Sequence, residues 1–149
     1  MLEDDFNSKG DGLYCVFDGH GGGSFFLYFT LHTSLELVSN TPGREVVDFV
    51  EEHFAKTLLT ELNFDEDRSV EDCITSAYII TDIKSRQANL MQSGCTSITC
   101  LLQKNEDGGR TLFSANCGDS RAVICRNGKA TRLSEDHKAS DKSEKTRIE

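Results

Sequence analysis

Residues 14–23 read YCVFDGHGGG, and the interpretation of the whole chain starts from this stretch. The apolar run Tyr14–Phe17 has the length and β-rich composition of a buried strand. It leads directly into Asp18, Gly19 and His20, so we expect an acid and an imidazole at the end of that strand. The glycines that follow permit a sharp turn and a close approach of the backbone to a ligand.

These residue types favour metal binding. Asp18 supplies a hard carboxylate oxygen, and Gly19 can turn its carbonyl oxygen towards the same ion. Oxygen ligands of this kind suit Mg²⁺ or Mn²⁺. The alternative is a strand that ends in a glycine turn with a surface acid and histidine, which needs no function. The stretch by itself leaves both interpretations open.

Composition excludes several classes of protein. A chain of 149 residues is long enough for one domain with its own core. Its net charge of −9 argues against a surface for nucleic acid or anionic membrane, because neutralising phosphates needs clustered Lys and Arg. No apolar run reaches the roughly 18 residues of a membrane span, and the polar, acidic beginning predicts no secretory signal.

The six cysteines predict a reducing compartment. They show neither a CxxC pair nor the spacing of a zinc site. Most lie in apolar, strand-like runs, which is typical of small, reduced core residues. We therefore expect an intracellular protein, cytoplasmic or nuclear; an extracellular disulfide framework is the alternative. The residues are Cys15, Cys73, Cys95, Cys100, Cys117 and Cys125.

Apolar residues at spacings of three and four predict three amphipathic helices. We expect them at about 22–39, 42–62 and 69–91, the second starting with Thr41 as N-cap and Pro42 as first helical residue. In the third helix, Ser69 and Asp72 fit a capping box. The buried face of that helix is predicted to hold Val70, Cys73, Ala77, Ile80 and Ile83.

The remaining segments predict strands and loops. β-rich runs alternate with glycine-containing turns after residue 95, and Asn127-Gly128 is a strong two-residue hairpin signal. The pattern predicts an antiparallel meander, while residues 1–13 are expected to be irregular. The last sixteen residues are charged and predict a loop that leads into a short helix. The predicted strands cover 96–103, 111–117, 122–126 and 129–133.

Four segments together carry a family resemblance. VFDGHGG at 16–22 resembles the signature of the metal-dependent, type 2C protein serine/threonine phosphatases. Three further segments follow in that family's order: SGCT at 93–96, ANCGDSRAV at 115–123, and LSEDHK at 133–138 with EK and RI shortly beyond. Four motifs in order across nearly the whole chain are far more specific than any one of them.

The resemblance implies a fold and a reaction. The fold is of the α+β class, a two-layer sandwich of antiparallel sheets flanked by helices. Its active site holds two Mn²⁺ or Mg²⁺ ions, which clamp the phosphate of a phosphoprotein substrate and acidify the water that attacks it. This chemistry needs no protein nucleophile, which agrees with the absence of a GxSxG motif from the sequence.

The resemblance also implies roles for individual residues. Asp18 would bridge both metal ions, and Gly19 would bind one of them through its carbonyl. Glu3 would contribute a further carboxylate, and Asp119 could contact a third, more loosely held ion. His20 would donate a proton to the leaving serine or threonine oxygen. Two alternatives remain: Glu3 as part of a solvated acidic tail, and Asp119 as a turn residue that caps its own backbone.

Departures from the family pattern limit these expectations. The family's domain is about twice this length, and its later half supplies more strands and two further metal-binding aspartates. The arginine that grips the substrate phosphate is also missing near the beginning of the sequence. We therefore expect one weakly bound ion or none, and an exposed sheet that self-association or a partner would cover.

Two functional interpretations follow from these departures. In the first, residues 1–149 form part of a phosphatase domain and are inactive alone or nearly so. In the second, the chain is a non-catalytic, phosphatase-like protein that binds partners. Reading the coding sequence beyond Glu149 distinguishes them. In either case Arg121 is expected to have a structural role as an ion-pair partner.

Overall fold

The computed structural model describes residues 1–7, 9–20 and 43–149. The predicted helix over 22–39 and the predicted helix start at Thr41 and Pro42 lie outside these residues. In chain order the elements are β1 (Leu2–Asp4), β2 (Gly12–His20), α1 (Arg44–Phe64), α2 (Val70–Gln87), β3 (Gly94–Lys104), β4 (Arg110–Cys117), β5 (Val123–Arg126), β6 (Lys129–Arg132) and α3 (Lys142–Ile148).

The strands form two antiparallel sheets. One has four strands in the order β1-β2-β3-β4, and the other consists of β5 and β6 alone. The α+β class is confirmed, but the prediction of one continuous meander is wrong. At Gly118, φ is +89° and the chain turns away from the first sheet, so β5 does not continue alongside β4.

Helices α1 and α2 cover one face of the four-stranded sheet. Alternation along β2 points Leu13, Cys15 and Phe17 to that face, where none is more than 6% exposed. They pack with Phe54 and Leu58 of α1, both fully buried. Each large side chain buried in this way stabilises the fold by about 1.5–3 kcal/mol. The opposite face of β2 carries the even-numbered residues, which are less buried.

The helices confirm the predicted periodicity with one correction. The Ser69 hydroxyl accepts a hydrogen bond from the Asp72 backbone N–H at 3.0 Å, as an N-cap does. Ile83 was predicted to be buried, yet it is 48% exposed. The buried face of α2 is rotated away from it and consists of Cys73, Ile74, Ala77, Thr81 and Ser85.

Residues 1–13 were predicted to be irregular, and this prediction is wrong. They contain β1 and the first residues of β2, which pair with each other. The backbone groups of Met1 and Cys15 also exchange hydrogen bonds, at 2.9 and 3.0 Å. A three-residue acidic strand has no signal of its own in the sequence, because only its pairing with β2 makes it a strand.

All six cysteines are free thiols, and Cys15 and Cys73 are buried as predicted. Cys117 and Cys125 are exposed. Within the described residues, no helix combines the length and the apolar character needed to cross a membrane.

Candidate metal centre

Asp18 lies within β2, two residues before its end. We had expected the strand to stop before Asp18, but its pairing with β3 continues through His20. The side chains of Asp18 and His20 share the sheet face opposite the helices. His20 Nε2 is 3.5 Å from Asp18 Oδ2, and the two side chains are 55% and 30% exposed. The structure thus places a carboxylate and an imidazole side by side and open to solvent.

Gly19 faces the first turn of α1. A Cβ atom at this position would lie 2.6 Å from the Gly43 carbonyl oxygen and 2.6 Å from a methyl group of Val47. Those distances are shorter than any van der Waals contact, so only glycine lets α1 begin this close to β2. The glycine of the DGH motif therefore has a packing role that the sequence analysis did not predict.

The backbone of Gly19 points to the β1 side of the sheet. Cys15 exchanges both of its backbone hydrogen bonds with Met1 on that side. Strand residues two apart direct their N–H and C=O groups to the same side, so the Gly19 carbonyl is directed to the same edge. No described residue of β1 lies opposite Gly19, since the pairing of β1 with β2 reaches only Cys15. A Cβ atom on Gly43 would lie 3.4 Å from the Gly19 carbonyl oxygen, so this oxygen is next to the residue that precedes α1.

Thr96 joins the Asp119 turn to this site. It lies directly opposite Asp18 on β3, and its Oγ1 is 2.7 Å from Ser120 Oγ. A Cβ atom on Gly118 would collide with the Thr96 side chain. Both neighbours of Asp119 therefore contact Thr96, which brings the turn next to Asp18. Thr96 belongs to the SGCT motif at 93–96, and nothing in that motif alone predicts its contact with the Asp119 turn.

Glu3 is not brought to Asp18. It pairs with Leu13, whose side chain is fully buried on the helix-covered face. Leu13 is five positions from Asp18 along β2, which corresponds to about 16 Å. Residues paired directly opposite point to the same face, so Glu3 and Asp18 also lie on opposite faces. The predicted sharing of an ion by these two carboxylates does not fit this register.

The site offers few ligands for a divalent ion. Within residues 1–7, 9–20 and 43–149, no group of three or more His, Cys, Asp or Glu side chains is arranged to hold a metal. Asp18 and the Gly19 carbonyl supply two oxygen-bearing groups, one carboxylate and one carbonyl, with one negative charge. Mg²⁺ can keep several waters and bind through one or two carboxylates, so these residues fit a single, weakly held ion and not a tightly bound pair.

A charge cluster lies beyond the Asp119 turn. Asp136 Oδ2 accepts a hydrogen bond from Arg121 Nη2 at 2.5 Å, and Asp136 Oδ1 accepts from Arg121 Nε at 2.7 Å and from Arg132 Nη2. Lys138 Nζ forms an ion pair with Asp136 Oδ2 at 3.1 Å. The Arg121 guanidinium and the other two cations hold the pKa of Asp136 well below its usual range. The predicted ion-pair role of Arg121 is confirmed. The central position of Asp136 cannot be predicted from sequence, because Arg121 is 15 residues away along the chain.

Comparisons with known proteins agree with the fold and the motifs. The family model described as "Protein phosphatase 2C" matches residues 2–149. "Probable protein phosphatase 2C 3" of Paramecium tetraurelia is 33% identical over 92% of this chain and 41% of that protein. "Probable protein phosphatase 2C 69" of Arabidopsis thaliana is 35% identical over 98% of this chain and 34% of that protein. "Protein phosphatase 2C homolog 1" of Schizosaccharomyces pombe is 30% identical over 99% and 37%.

A solved structure shares the fold. "Structure of a C.elegans sex determining protein" superposes with a TM-score of 0.68 over 93% of this chain and 29% of that chain, at 22% sequence identity. The chain thus spans less than half the length of each of these four proteins.

Proposed function

The chain belongs to the protein phosphatase 2C family, and on that premise we propose that it carries the Asp18 half of the metal centre of a protein serine/threonine phosphatase. The proposed reaction is hydrolysis of phosphoserine or phosphothreonine in a phosphoprotein, with Mn²⁺ or Mg²⁺ as the metal. One observation supports it above others. Asp18 and His20 lie together on an open sheet face, and Thr96 holds the Asp119 turn beside them.

The proposal gives each residue of the site a task. Divalent ions, when bound, would acidify a water molecule for attack on phosphorus. Asp18 would hold a metal ion through its carboxylate and Gly19 through its carbonyl, and Asp119 could contact a more loosely held ion. His20 donates a proton to the serine or threonine oxygen as it leaves. Glu3 is omitted from this set because its register places it on the other face of the sheet.

The small negative charge of the site indicates that full activity needs metal ligands beyond the described residues. Two adjacent divalent cations repel each other strongly unless several anionic groups surround them. Asp18 alone supplies one negative charge at the strand end, and Asp119 lies on an exposed turn. We therefore expect the 149-residue chain to release phosphate slowly at most.

Phosphate release from a phosphothreonine peptide tests the proposal. It is measured with Mn²⁺ and with EDTA, for the 149-residue chain and for the complete polypeptide that its gene encodes. We expect Mn²⁺-dependent turnover by the complete polypeptide, abolished by Asp18→Asn and retained by Glu3→Gln. Turnover that Asp18→Asn leaves intact would refute the site. A complete polypeptide without turnover would favour the non-catalytic, partner-binding alternative.

A further inference from the structure

The positive side chains around Asp136 carry more charge than its single carboxylate neutralises. Three of them, Arg121, Arg132 and Lys138, contact this one carboxylate. Asp136 accepts hydrogen bonds from Arg121 at both of its oxygens and from Arg132 at Oδ1, and it forms an ion pair with Lys138. The Asp136 side chain is 8% exposed, whereas the three cations are about half exposed at 54%, 49% and 46%. The exposed carboxylates of Asp119 and Glu135 flank this group in sequence, and Asp119 interacts electrostatically with Arg121. The cationic surface is therefore confined to the three side chains themselves, in a chain whose net charge is −9.

The two arginines keep donors free for a ligand. Arg121 uses Nε and Nη2 on Asp136, and Arg132 uses Nε on the Ser134 carbonyl and Nη2 on Asp136. Among the described residues, neither Nη1 group donates a hydrogen bond. Asp136 thus fixes both guanidinium groups in place, which reduces the conformational entropy that each would lose on binding an oxyanion.

The cluster lies close to Asp18. Segment 133–137 is tied to the Asp119 turn by hydrogen bonds from the His137 N–H to the Gly118 carbonyl at 2.9 Å and from Asn116 Nδ2 to the Glu135 carbonyl at 2.6 Å. Ser120, next to Arg121 in sequence, bonds Thr96 opposite Asp18. The pairing of Asp18 with Thr96, the Thr96–Ser120 hydrogen bond and the peptide bond to Arg121 connect the site to the cluster. Together they limit the distance between the Cα atoms of Asp18 and Arg121 to roughly 15 Å, which is the reach of about five extended residues.

We propose that the surface formed by Arg121, Arg132 and Lys138 binds an acidic segment of the protein substrate, within about five residues of its phosphorylated side chain. The proposal rests on the proposed phosphatase function for the identity of that substrate. Glutamate, aspartate or an additional phosphoryl group supplies the oxyanions that the free guanidinium and ammonium donors recognise. Acidic flanking residues would then distinguish good substrates from poor ones.

Charge on the rest of the chain favours a short peptide over a larger polyanion. Electrostatic attraction fades over about 8 Å at physiological salt, so a short acidic segment interacts mainly with the cluster. A nucleic acid or an anionic membrane would extend over more of a protein whose net charge is −9, and that charge would repel it.

The hairpin of β5 and β6 supplies a matched control. Arg132 pairs with Val123 at its base, and Arg126 pairs with Lys129 at its tip, three pairs away. Because successive pairs alternate between faces, Arg126 and Lys129 lie on the face opposite Arg132. Replacing Arg132 and Lys138 removes two positive charges, and replacing Arg126 and Lys129 also removes two. Only the first pair belongs to the proposed surface.

Fluorescence anisotropy in EDTA tests the proposal without any contribution from metal or turnover. The probes are a labelled phosphothreonine peptide with flanking glutamates and its counterpart with glutamines. We expect the glutamate peptide to bind about tenfold more tightly and to lose that advantage in R132Q/K138Q. The control R126Q/K129Q should bind within about twofold of wild type. Lys138→Gln alone, which leaves both arginines on Asp136, serves if the double variant does not fold.

Several results would overturn the inference. Equal binding of the two peptides would do so, as would equal loss of binding in the control variant. Tighter binding to phosphatidylserine vesicles or to single-stranded RNA, lost in R132Q/K138Q, would assign the surface to a different partner. Since EDTA removes metal, these outcomes are separate from failure of the phosphatase assay.

Discussion

Tyr78 links α2 to the sheet through a single hydroxyl group. Its oxygen is 2.8 Å from Thr99 Oγ1, 3.1 Å from the Ala115 carbonyl oxygen and 3.2 Å from Ser97 Oγ. Thr99 and Ser97 are themselves buried, so water cannot easily replace the hydroxyl. A buried polar group therefore joins α2 to both β3 and β4.

Removing this hydroxyl should destabilise the fold. We expect Tyr78→Phe to lower the free energy of unfolding by about 1–2 kcal/mol, because buried polar groups lose their partner. Tyr14→Phe is the control: the Tyr14 hydroxyl bonds Asp4 Oδ1 at 2.8 Å in a solvent-exposed position, and its loss should cost less than about 0.5 kcal/mol. Urea unfolding of both variants measures the difference. Equal costs would show that the buried network adds nothing.

Because Cys15 is buried and Tyr78 is partly buried, we also expect the folded state to lose stability at alkaline pH. Desolvation raises the pKa of Tyr78 from 10.0 to about 12 and the pKa of Cys15 from 9.0 to about 12. The folded state therefore retains these protons at pH values where the unfolded state releases them. Each contribution to stability is fully present below the unfolded pKa of its group. The contribution of Cys15 falls as pH rises from about 9 to about 12, and the contribution of Tyr78 falls as pH rises from about 10 to about 12.

Urea midpoints measured under reducing conditions across this alkaline range test the sign. We expect them to decrease steadily, with a shallower decrease in Tyr78→Phe, which cannot lose the hydroxyl proton. A midpoint that stays constant or rises with pH would contradict the prediction. An equal slope in wild type and variant would assign the whole effect to other groups.

At the scale of the element, the turn after β4 depends on its glycine. Gly118 has φ +89°, and a Cβ atom there would collide with the Thr96 side chain. Gly128, in the hairpin turn, has φ +74° with open space around it. The two glycines share a left-handed backbone conformation and differ in whether a side chain would fit.

Substitution of each glycine by alanine distinguishes the cost of backbone strain from the cost of the steric clash with Thr96. We expect Gly128→Ala to cost about 1 kcal/mol from the positive φ alone. Gly118→Ala should cost about 3 kcal/mol or more, since Thr96 must also move. Urea denaturation measures both, and equal costs would refute the tight contact between the Asp119 turn and β3. In addition, the larger perturbation at Gly118 should weaken metal binding at Asp18.

Elements defined by local signals were predicted well, and their pairing was not. The spacing of apolar residues predicted α1 and α2, and Asn127-Gly128 predicted the β5–β6 hairpin, because periodicity and turn chemistry are local properties. β1 was missed, and the register that pairs Glu3 with Leu13 was not predicted, for one reason. Register depends on which residues of two separate segments pair, and the acidic segment LED contains no information about its partner.

At the scale of the whole molecule, the buried core and the candidate metal-binding residues lie on opposite faces of the four-stranded sheet. Helices cover the face that carries Leu13, Cys15 and Phe17, while Asp18 and His20 project from the other face. Side-chain alternation in YCVFDGH already indicates this division, so the candidate acid and imidazole could be predicted from sequence. Thr96 and Asp136 could not, because their roles arise from contacts between segments that are distant along the chain.

Binding of Mn²⁺ to Asp18 is the central claim, and electron paramagnetic resonance tests it directly, since bound Mn²⁺ removes intensity from the signal of the free aqueous ion. We expect wild type to lower that signal at millimolar Mn²⁺, Glu3→Gln to lower it equally, and Asp18→Asn to leave it at the level of buffer. Undiminished binding by Asp18→Asn, or none by wild type, would contradict the account.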